Sequence, residues 1–160
     1  MRIKIFTTGG TIDKIYFDQK SQFEVGEPQI EQLLTEANIT FDYDVEPLMR
    51  KDSLDIDEDD RVRISDAVRA TAVEKILITH GTDTMVDTAR ALGEVTDKTV
   101  VFVGAMQPAR LRVSDAFFNI GYAVAAVQML PWGVYVAMNG QVFDPFKTTK
   151  NVALNRFELE

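Results

Sequence analysis

Four short apolar segments recur along the chain, each rich in β-branched or aromatic residues. They cover residues 2–7, 75–80, 99–105 and 133–139, and they read RIKIFT, KILITH, TVVFVGA and GVYVAMN. Runs of this length that end in polar or glycine residues are typical of strands buried on both faces of a sheet. A weaker pattern near residues 41–46 predicts one further strand.

Segments with helical spacing separate these strands. Ile64 and Val68 belong to an apolar stripe on a helix predicted to begin near Asp57, and a second helix is predicted after Thr84. Residues 114–129 are apolar nearly all round, which favours a core or an interface, and a weaker helix is predicted over 28–36. The alternation of strand and helix predicts an α/β fold, with a mainly parallel sheet and helices on both faces.

The amino-acid composition argues against several kinds of partner and chemistry. A chain of 160 residues with 46% hydrophobic content can bury a core as one domain. The net charge of −8 disfavours nucleic acid and anionic membrane as partners, and Arg110 with Arg112 is too small a basic cluster to reverse this. Without cysteine there is no disulfide or thiolate chemistry. No secretory signal and no apolar run of about 18 residues is visible, so we expect a cytoplasmic protein.

The ends of the predicted parallel strands are the places to look for a site, because open α/β sheets bind ligands there. The first strand runs into TTGGTID, where Gly9 and Gly10 permit close backbone approach and Thr8 and Thr11 supply hydroxyl groups. One interpretation is a glycine turn whose threonines cap backbone groups, and the other is a binding loop. A phosphate cradle is disfavoured because the P-loop lysine and the third glycine of a dinucleotide fingerprint are missing.

Two further strand ends carry candidate chemistry, in ITHGTDTM at 78–85 and GAMQP at 104–108. Asp83 or Thr84 would serve as a helix N-cap, but that role leaves Thr82 unexplained. His80, the one histidine, is more typical of a buried structural residue. A threonine nucleophile needs a base, and Lys150 in KTTKN is a candidate; by itself this lysine would be interpreted as an exposed surface residue.

Four motifs in this order, TTGGTI, HGTDTM, VGAMQP and TKN, resemble the bacterial-type L-asparaginases. The resemblance covers essentially the whole chain, but only the amino-terminal domain of that family. The family's smaller second domain has no counterpart in this sequence. We therefore expect residues 1–160 to form a single asparaginase-like domain.

The resemblance implies an amidohydrolase that converts the side-chain amide of asparagine, or a related small amide, to acid and ammonia without metal or organic cofactor. Thr11 would be the nucleophile that forms an acyl-enzyme, and Thr82, Asp83 and Lys150 would form a hydrogen-bonded relay. Backbone N–H groups near Thr82 and the glycine turn would stabilise the oxyanion. The residues implied in substrate binding are Ser53, Asp83, Gly10, Gly81, Tyr16 and Ala105.

Departures from the family pattern leave an alternative open. Phe23 stands where the family presents a tyrosine hydroxyl, which Tyr16 could replace, and Leu54 follows Ser53 where many members have a polar residue. A non-catalytic domain that binds an amino acid or a protein partner is therefore the alternative function. Residues 13–27 are expected to form a loop whose length, charges and Gly26 favour mobility, and its closure over ligand as a lid is left open. The apolar segment Phe117–Trp132, including Phe118, Tyr122 and Met129, predicts self-association as a homo-oligomer.

Overall fold

The computed structural model describes residues 1–17 and 22–160, and a six-stranded sheet forms its centre. The strands are β1 (Arg2–Gly9), β2 (Lys14–Phe17), β3 (Gln22–Val25), β4 (Asp42–Lys51), β5 (Lys75–Thr79), β6 (Thr99–Val103), β7 (Gly133–Met138), β8 (Gln141–Phe143), β9 (Thr148–Asn151) and β10 (Arg156–Leu159). The order in the central sheet is β4-β1-β5-β6-β7-β8. Its first five strands run parallel, and β8 pairs antiparallel with β7.

The helices are α1 (Ile30–Glu36), α2 (Glu58–Ala70), α3 (Met85–Ala91) and α4 (Ala116–Met129). The start of α2 confirms the helix predicted near Asp57: the Asp57 carboxylate accepts from Asp60 N–H, and Asp60 accepts from Asp57 N–H in return. This capping box satisfies N–H groups that a helix leaves unpaired at its start. Across residues 1–17 and 22–160, no helix is long and apolar enough to cross a membrane.

The four strongest apolar segments of the sequence become the middle of the sheet, which confirms the predicted α/β fold with its mainly parallel sheet flanked by helices. Ile5, Leu77 and Val101 are completely buried there. Each fully buried side chain of this size contributes about 1.5–3 kcal/mol through removal of apolar surface from water. This rigid centre fixes the positions of the chain segments that leave its carboxyl edge.

One prediction needs correction. Within the expected loop 13–27, β2 and β3 pair as an antiparallel hairpin, and residues 18–21, which separate the two strands in the sequence, lie outside the described part of the chain. The α4 helix buries only one side, while Phe117, Phe118 and Met129 are exposed on the rest of its surface. Core burial therefore explains only part of the apolar pattern of this helix.

Candidate active site

Two glycine turns at the carboxyl edge of the sheet are in direct backbone contact. Gly10, which has φ 87°, precedes a short 3-10 helix over Thr11–Asp13 at the end of β1. A methyl group added to Gly10 would lie 2.4 Å from both Cα and N of Gly81, which follows β5. Any side chain at Gly10 would separate the turns, so glycine is needed for close approach as well as for its positive φ.

Ser53 packs against the other side of Gly81. A methyl group added to Gly81 would lie 2.6 Å from Ser53 Cβ and 2.7 Å from its Oγ. Thr84 occupies the N-cap position of α3, as the sequence predicts, but its side chain does not cap the helix, because Thr84 Oγ1 donates to Ser53 O at 2.6 Å. The turn after β4 is thereby held against the turn after β5, and the buried Ser53 joins the cluster formed by Gly10 and Gly81.

Lys150 reaches this edge from β9 and joins the pair at the end of β5. Its Nζ donates to Thr82 Oγ1 at 2.8 Å and to Asp83 Oδ1 at 2.6 Å. Only 11% of the Lys150 side chain is exposed, against 42% of Asp83. The interpretation of Lys150 as a solvated surface lysine is therefore wrong, because its ammonium group is held between a buried hydroxyl and a carboxylate. Such a geometry links a threonine hydroxyl to a group that can exchange protons.

The segment that contains Gly104 and Ala105 closes a third side of the cluster. A methyl group added to Gly104 would lie 2.3 Å from His80 O and 3.4 Å from Thr82 Cγ2. Gly104 therefore allows the turn after β6 to contact the turn after β5. Ala105 is buried beside it.

Asp115 and Asn119 fix this third segment, and sequence reasoning missed both. The Asp115 carboxylate accepts from Met106 N–H at 2.9 Å and Gln107 N–H at 2.9 Å, and Asn119 Nδ2 donates to it at 2.8 Å. Asn119 also donates to Gly104 O at 3.1 Å. The available signal was two polar residues four positions apart at the start of a largely apolar helix.

His80 supports the central turn without facing the cluster as an acid or base. Burial lowers the pKa of the His80 imidazole to about 4, so the ring is neutral near pH 7. Nδ1 lies 2.7 Å from Gly81 O, which can only accept, so we assign the proton to Nδ1. The Nδ1–H group of His80 thereby holds the backbone carbonyl of Gly81 in place.

Tyr16 and Phe23 lie opposite each other on the β2–β3 hairpin. Their rings meet edge to face with centroids 5.5 Å apart, and both are about half exposed. Within the described residues, the Tyr16 hydroxyl has no hydrogen-bond partner, so it is not joined to Thr11 in this state. The hairpin begins directly after Asp13, whose backbone O accepts from Gly26 N–H at 2.8 Å.

Asp13 is a buried carboxyl beside the site that sequence reasoning also missed. Its Oδ1 accepts from Gln29 N–H at 2.8 Å, while Oδ2 has no partner in the described chain. Burial raises the pKa of the Asp13 carboxyl to about 7, against opposing effects of the Gln29 N–H and the Arg50 charge. Elsewhere in the described ranges, no group of three or more His, Cys, Asp and Glu side chains is arranged to hold a metal.

The family model and similar curated proteins point to the same family. Residues 2–158 match the family model "Asparaginase, N-terminal". L-asparaginase 2 of Escherichia coli is 34% identical over 167 aligned positions, covering 92% of this chain and 46% of that protein. The "Probable L-asparaginase periplasmic" of Haemophilus influenzae is 31% identical over 159 positions, with the same two coverages of 92% and 46%.

Solved structures agree with the sequence relatives. The "Probable Cytoplasmic L-asparaginase" of Campylobacter jejuni superposes with a TM-score of 0.84 at 31% identity, covering 99% of this chain and 52% of that one. The thermostable L-asparaginase of Thermococcus kodakarensis gives a TM-score of 0.85 at 26% identity, covering 99% and 51%. The chain thus spans about half the length of the curated relatives it matches. Its fold, its matched residues and these relatives show that the chain belongs to the asparaginase family and corresponds to the amino-terminal part of that family.

Proposed function

We propose that residues 1–160 hydrolyse the side-chain amide of asparagine, or of a related small amide, to the acid and ammonia. The observation that carries this proposal is the pair of hydrogen bonds from Lys150 Nζ to Thr82 Oγ1 and Asp83 Oδ1. The names of the relatives support the reaction class, since they include L-asparaginases and glutaminase-asparaginases. Both kinds of name refer to side-chain amides of amino acids.

In the proposed reaction Thr11 Oγ1 attacks the amide carbon, and the Thr11 proton leaves through Thr82 and Lys150. An ammonium group can donate but not accept, so Lys150 takes part as a base only in the form that has released a proton. The tetrahedral intermediate then breaks its C–N bond, and the nitrogen takes up a proton and departs as ammonia. The carbonyl group remains attached to Thr11 as an ester.

Hydrolysis of the ester repeats the same proton transfers in reverse. Water attacks the ester carbon, its proton passes to the relay, and the C–O bond to Thr11 breaks to restore the hydroxyl. Asp83 keeps the Lys150 amine oriented toward Thr82 throughout. Backbone N–H groups of the two touching glycine turns are suited to stabilise the oxyanion in both halves, because a rigid backbone needs no rearrangement as charge develops.

Substrate binding is assigned to the same cluster. Ser53 and Asp83 would hold the α-carboxylate and α-amino groups of the amino acid, while Gly10, Gly81 and Ala105 leave room for it to approach the backbone. Tyr16 would supply the hydroxyl group that Phe23 lacks. Movement of the β2–β3 hairpin over the substrate would bring the Tyr16 hydroxyl to the site.

Ammonia release tests this function, with L- and D-asparagine, L-glutamine and short β-aspartyl amides as substrates. Thr11→Ala and Lys150→Met are expected to lower turnover on the order of 10³-fold or more, as for other nucleophile and base deletions. Thr149→Ala and Lys147→Met are matched controls, since both residues are exposed on the same segment, and each should retain parental turnover. Folded parent protein that releases no ammonia from any amide refutes the enzyme and favours the binding domain.

Self-association and location complete the proposal. The exposed rings of Phe117 and Phe118, with Tyr122 stacked on Phe118 at 6.2 Å, form an aromatic surface suited to a second copy of the chain. Sedimentation is expected to give a homo-oligomer that Phe118→Ser shifts toward monomer. We assign the protein to the cytoplasm, a location that subcellular fractionation checks.

A further inference from the structure

Strand β7 is paired along only part of its outer edge. On that side it faces β8, whose last residue, Phe143, is in register with Val136. The chain then leaves the sheet through Asp144 and Pro145, and Pro145 has no N–H with which to continue the ladder. The first residues of β7 thus extend beyond the end of β8.

Backbone groups on this unpaired stretch point outward. Gly133 N–H donates to Lys98 O on the β6 side at 2.8 Å. In a parallel ladder each residue directs its N–H and its C=O to the same side of the strand, and successive residues alternate between the two sides. Because Gly133 faces β6, Val134 directs its N–H and C=O away from β6. Trp132, two residues earlier, has no backbone hydrogen bond to any described residue. Four donor and acceptor groups are therefore available along this edge.

A cleft of about 900 Å³ lies beside this edge, at the opposite end of the sheet from the candidate active site. Two aromatic rings line it and remain exposed, Trp132 at 56% and Phe146 at 58%. A volume of this size falls in the range of sites that hold small ligands or several residues of a peptide. Exposed aromatic rings are the side chains that most often anchor a partner.

The charges at the cleft favour a basic occupant. Lys75, the cation in the lining, is directed inward, because its Nζ donates to Thr99 Oγ1 and Leu130 O, each at 3.1 Å. Glu94 in the lining is exposed and has no ion-pair partner within the described residues. Asp144 contributes a second carboxylate, which lies 3.7 Å from the exposed Lys147. Glu94 is thus the exposed charged group of the lining that has no ion-pair partner in the described chain, and it is the group that favours a basic side chain.

We propose that this cleft binds an extended peptide segment that adds a strand beside Trp132 and Val134, with apolar side chains toward the rings of Trp132 and Phe146 and a basic side chain toward Glu94. Unpaired strand edges bind partners in this way, with the main chain providing affinity and the side-chain pockets providing specificity. The interaction is separate from the amide chemistry, since none of the proposed catalytic residues lines the cleft.

Trp132 is the one tryptophan of the chain, so its fluorescence reports directly on the cleft. The probe is the blocked pentapeptide acetyl-Val-Arg-Val-Arg-Val-amide, titrated into the whole protein. A saturable blue shift of the emission is expected as the ring leaves water. The same peptide with Glu in place of Arg should bind at least about fivefold more weakly, because it places like charges together. A peptide with Pro at its centre should lose the shift, because it cannot complete the ladder.

Glu94→Lys tests the charge at the rim. It should weaken the Arg peptide about fivefold, while Glu31→Lys, which makes the same charge change on the exposed side of α1, should leave its affinity unchanged. Three results would overturn the proposal: no shift with any peptide at millimolar concentration, equal shifts with all three peptides, or an emission that still changes with protein concentration alone in the Phe118→Ser variant, whose α4 surface no longer associates. The last result would indicate that a second copy of the chain covers the edge. Thr11→Ala should bind the peptide as the parent does, so this outcome does not depend on amide hydrolysis.

Discussion

The contact between Gly81 and Ser53 makes Gly81→Ala a sensitive test of how the site is assembled. The added methyl group would lie 2.6 Å from Ser53 Cβ and 3.1 Å from Ser53 N, whereas ordinary contacts begin near 3.4 Å. The backbone turns must therefore separate by roughly 1 Å, because Ser53 Cβ and N cannot rotate away. Overpacking of this kind costs about 1–3 kcal/mol in the free energy of unfolding.

Gly121→Ala provides a matched control with the opposite sign. Gly121 lies within α4, and a methyl group added there would have nothing within 4 Å. Alanine in an exposed helix is more stable than glycine by about 0.5–1 kcal/mol. Thermal unfolding should therefore place Gly81→Ala below the parent and Gly121→Ala above it, by roughly 2–4 °C per kcal/mol for a chain of this size.

Turnover separates the local effect from the global one. A misplacement of about 1 Å costs on the order of 10²-fold in rate when reacting groups must be aligned. Gly81→Ala should therefore lose ammonia release even at temperatures where it is fully folded, while Gly121→Ala keeps parental turnover. Equal stability and equal turnover in Gly81→Ala and the parent would refute the claim that the touching turns assemble the site.

Two further predictions concern the carboxyl groups of Asp13 and Asp115. Burial raises the pKa of Asp13 to about 7 in the folded chain, so between pH 4 and 7 the folded protein holds a proton that the unfolded chain has released, and rising pH lowers stability. In urea titrations at pH 4.5 and 7.5, Asp13→Asn should reduce this loss by about 3 kcal/mol relative to the parent, whereas Asp66→Asn on the surface of α2 should not. Asp115→Ala should lower the free energy of unfolding by about 1–3 kcal/mol, because the N–H groups of Met106 and Gln107 lose their acceptor. Asp115→Asn should lower it less. Equal urea midpoints for Asp115→Ala and the parent would contradict the role of Asp115 as that acceptor.

The central sheet could be predicted from the sequence because its strands are strongly apolar and each is bounded by turn residues. The helix that begins after Asp57 was equally accessible, since its capping box uses side chains close together in the sequence. The β2–β3 hairpin was missed because its strands have only four residues each and no strong alternation. The β8 strand was also missed, although Asn139 and Gly140, both with positive φ, form the Asn-Gly signal of a two-residue hairpin turn.

Part of the candidate site could likewise be predicted from the sequence and part could not. Thr82, Asp83 and Gly81 were accessible because they form one motif at a strand end, and their pairing with Lys150 came from the family resemblance. Contacts between distant segments, such as Gly10 against Gly81 and Gly81 against Ser53, carry no signal in a single sequence. Asp13 looked like an ordinary acidic residue in a loop, and only tertiary burial distinguishes its carboxyl group.

The acyl-enzyme on Thr11 is the central claim, and acid-quenched mass spectrometry tests it most directly. Parent protein quenched during turnover of asparagine should carry an added mass equal to asparagine less ammonia, located on the peptide that contains Thr11. Lys150→Met should form this adduct more slowly, while Lys147→Met should form it at the parental rate. Ammonia release that continues in Thr11→Ala, or turnover in the parent with no adduct on the Thr11 peptide, would contradict the account.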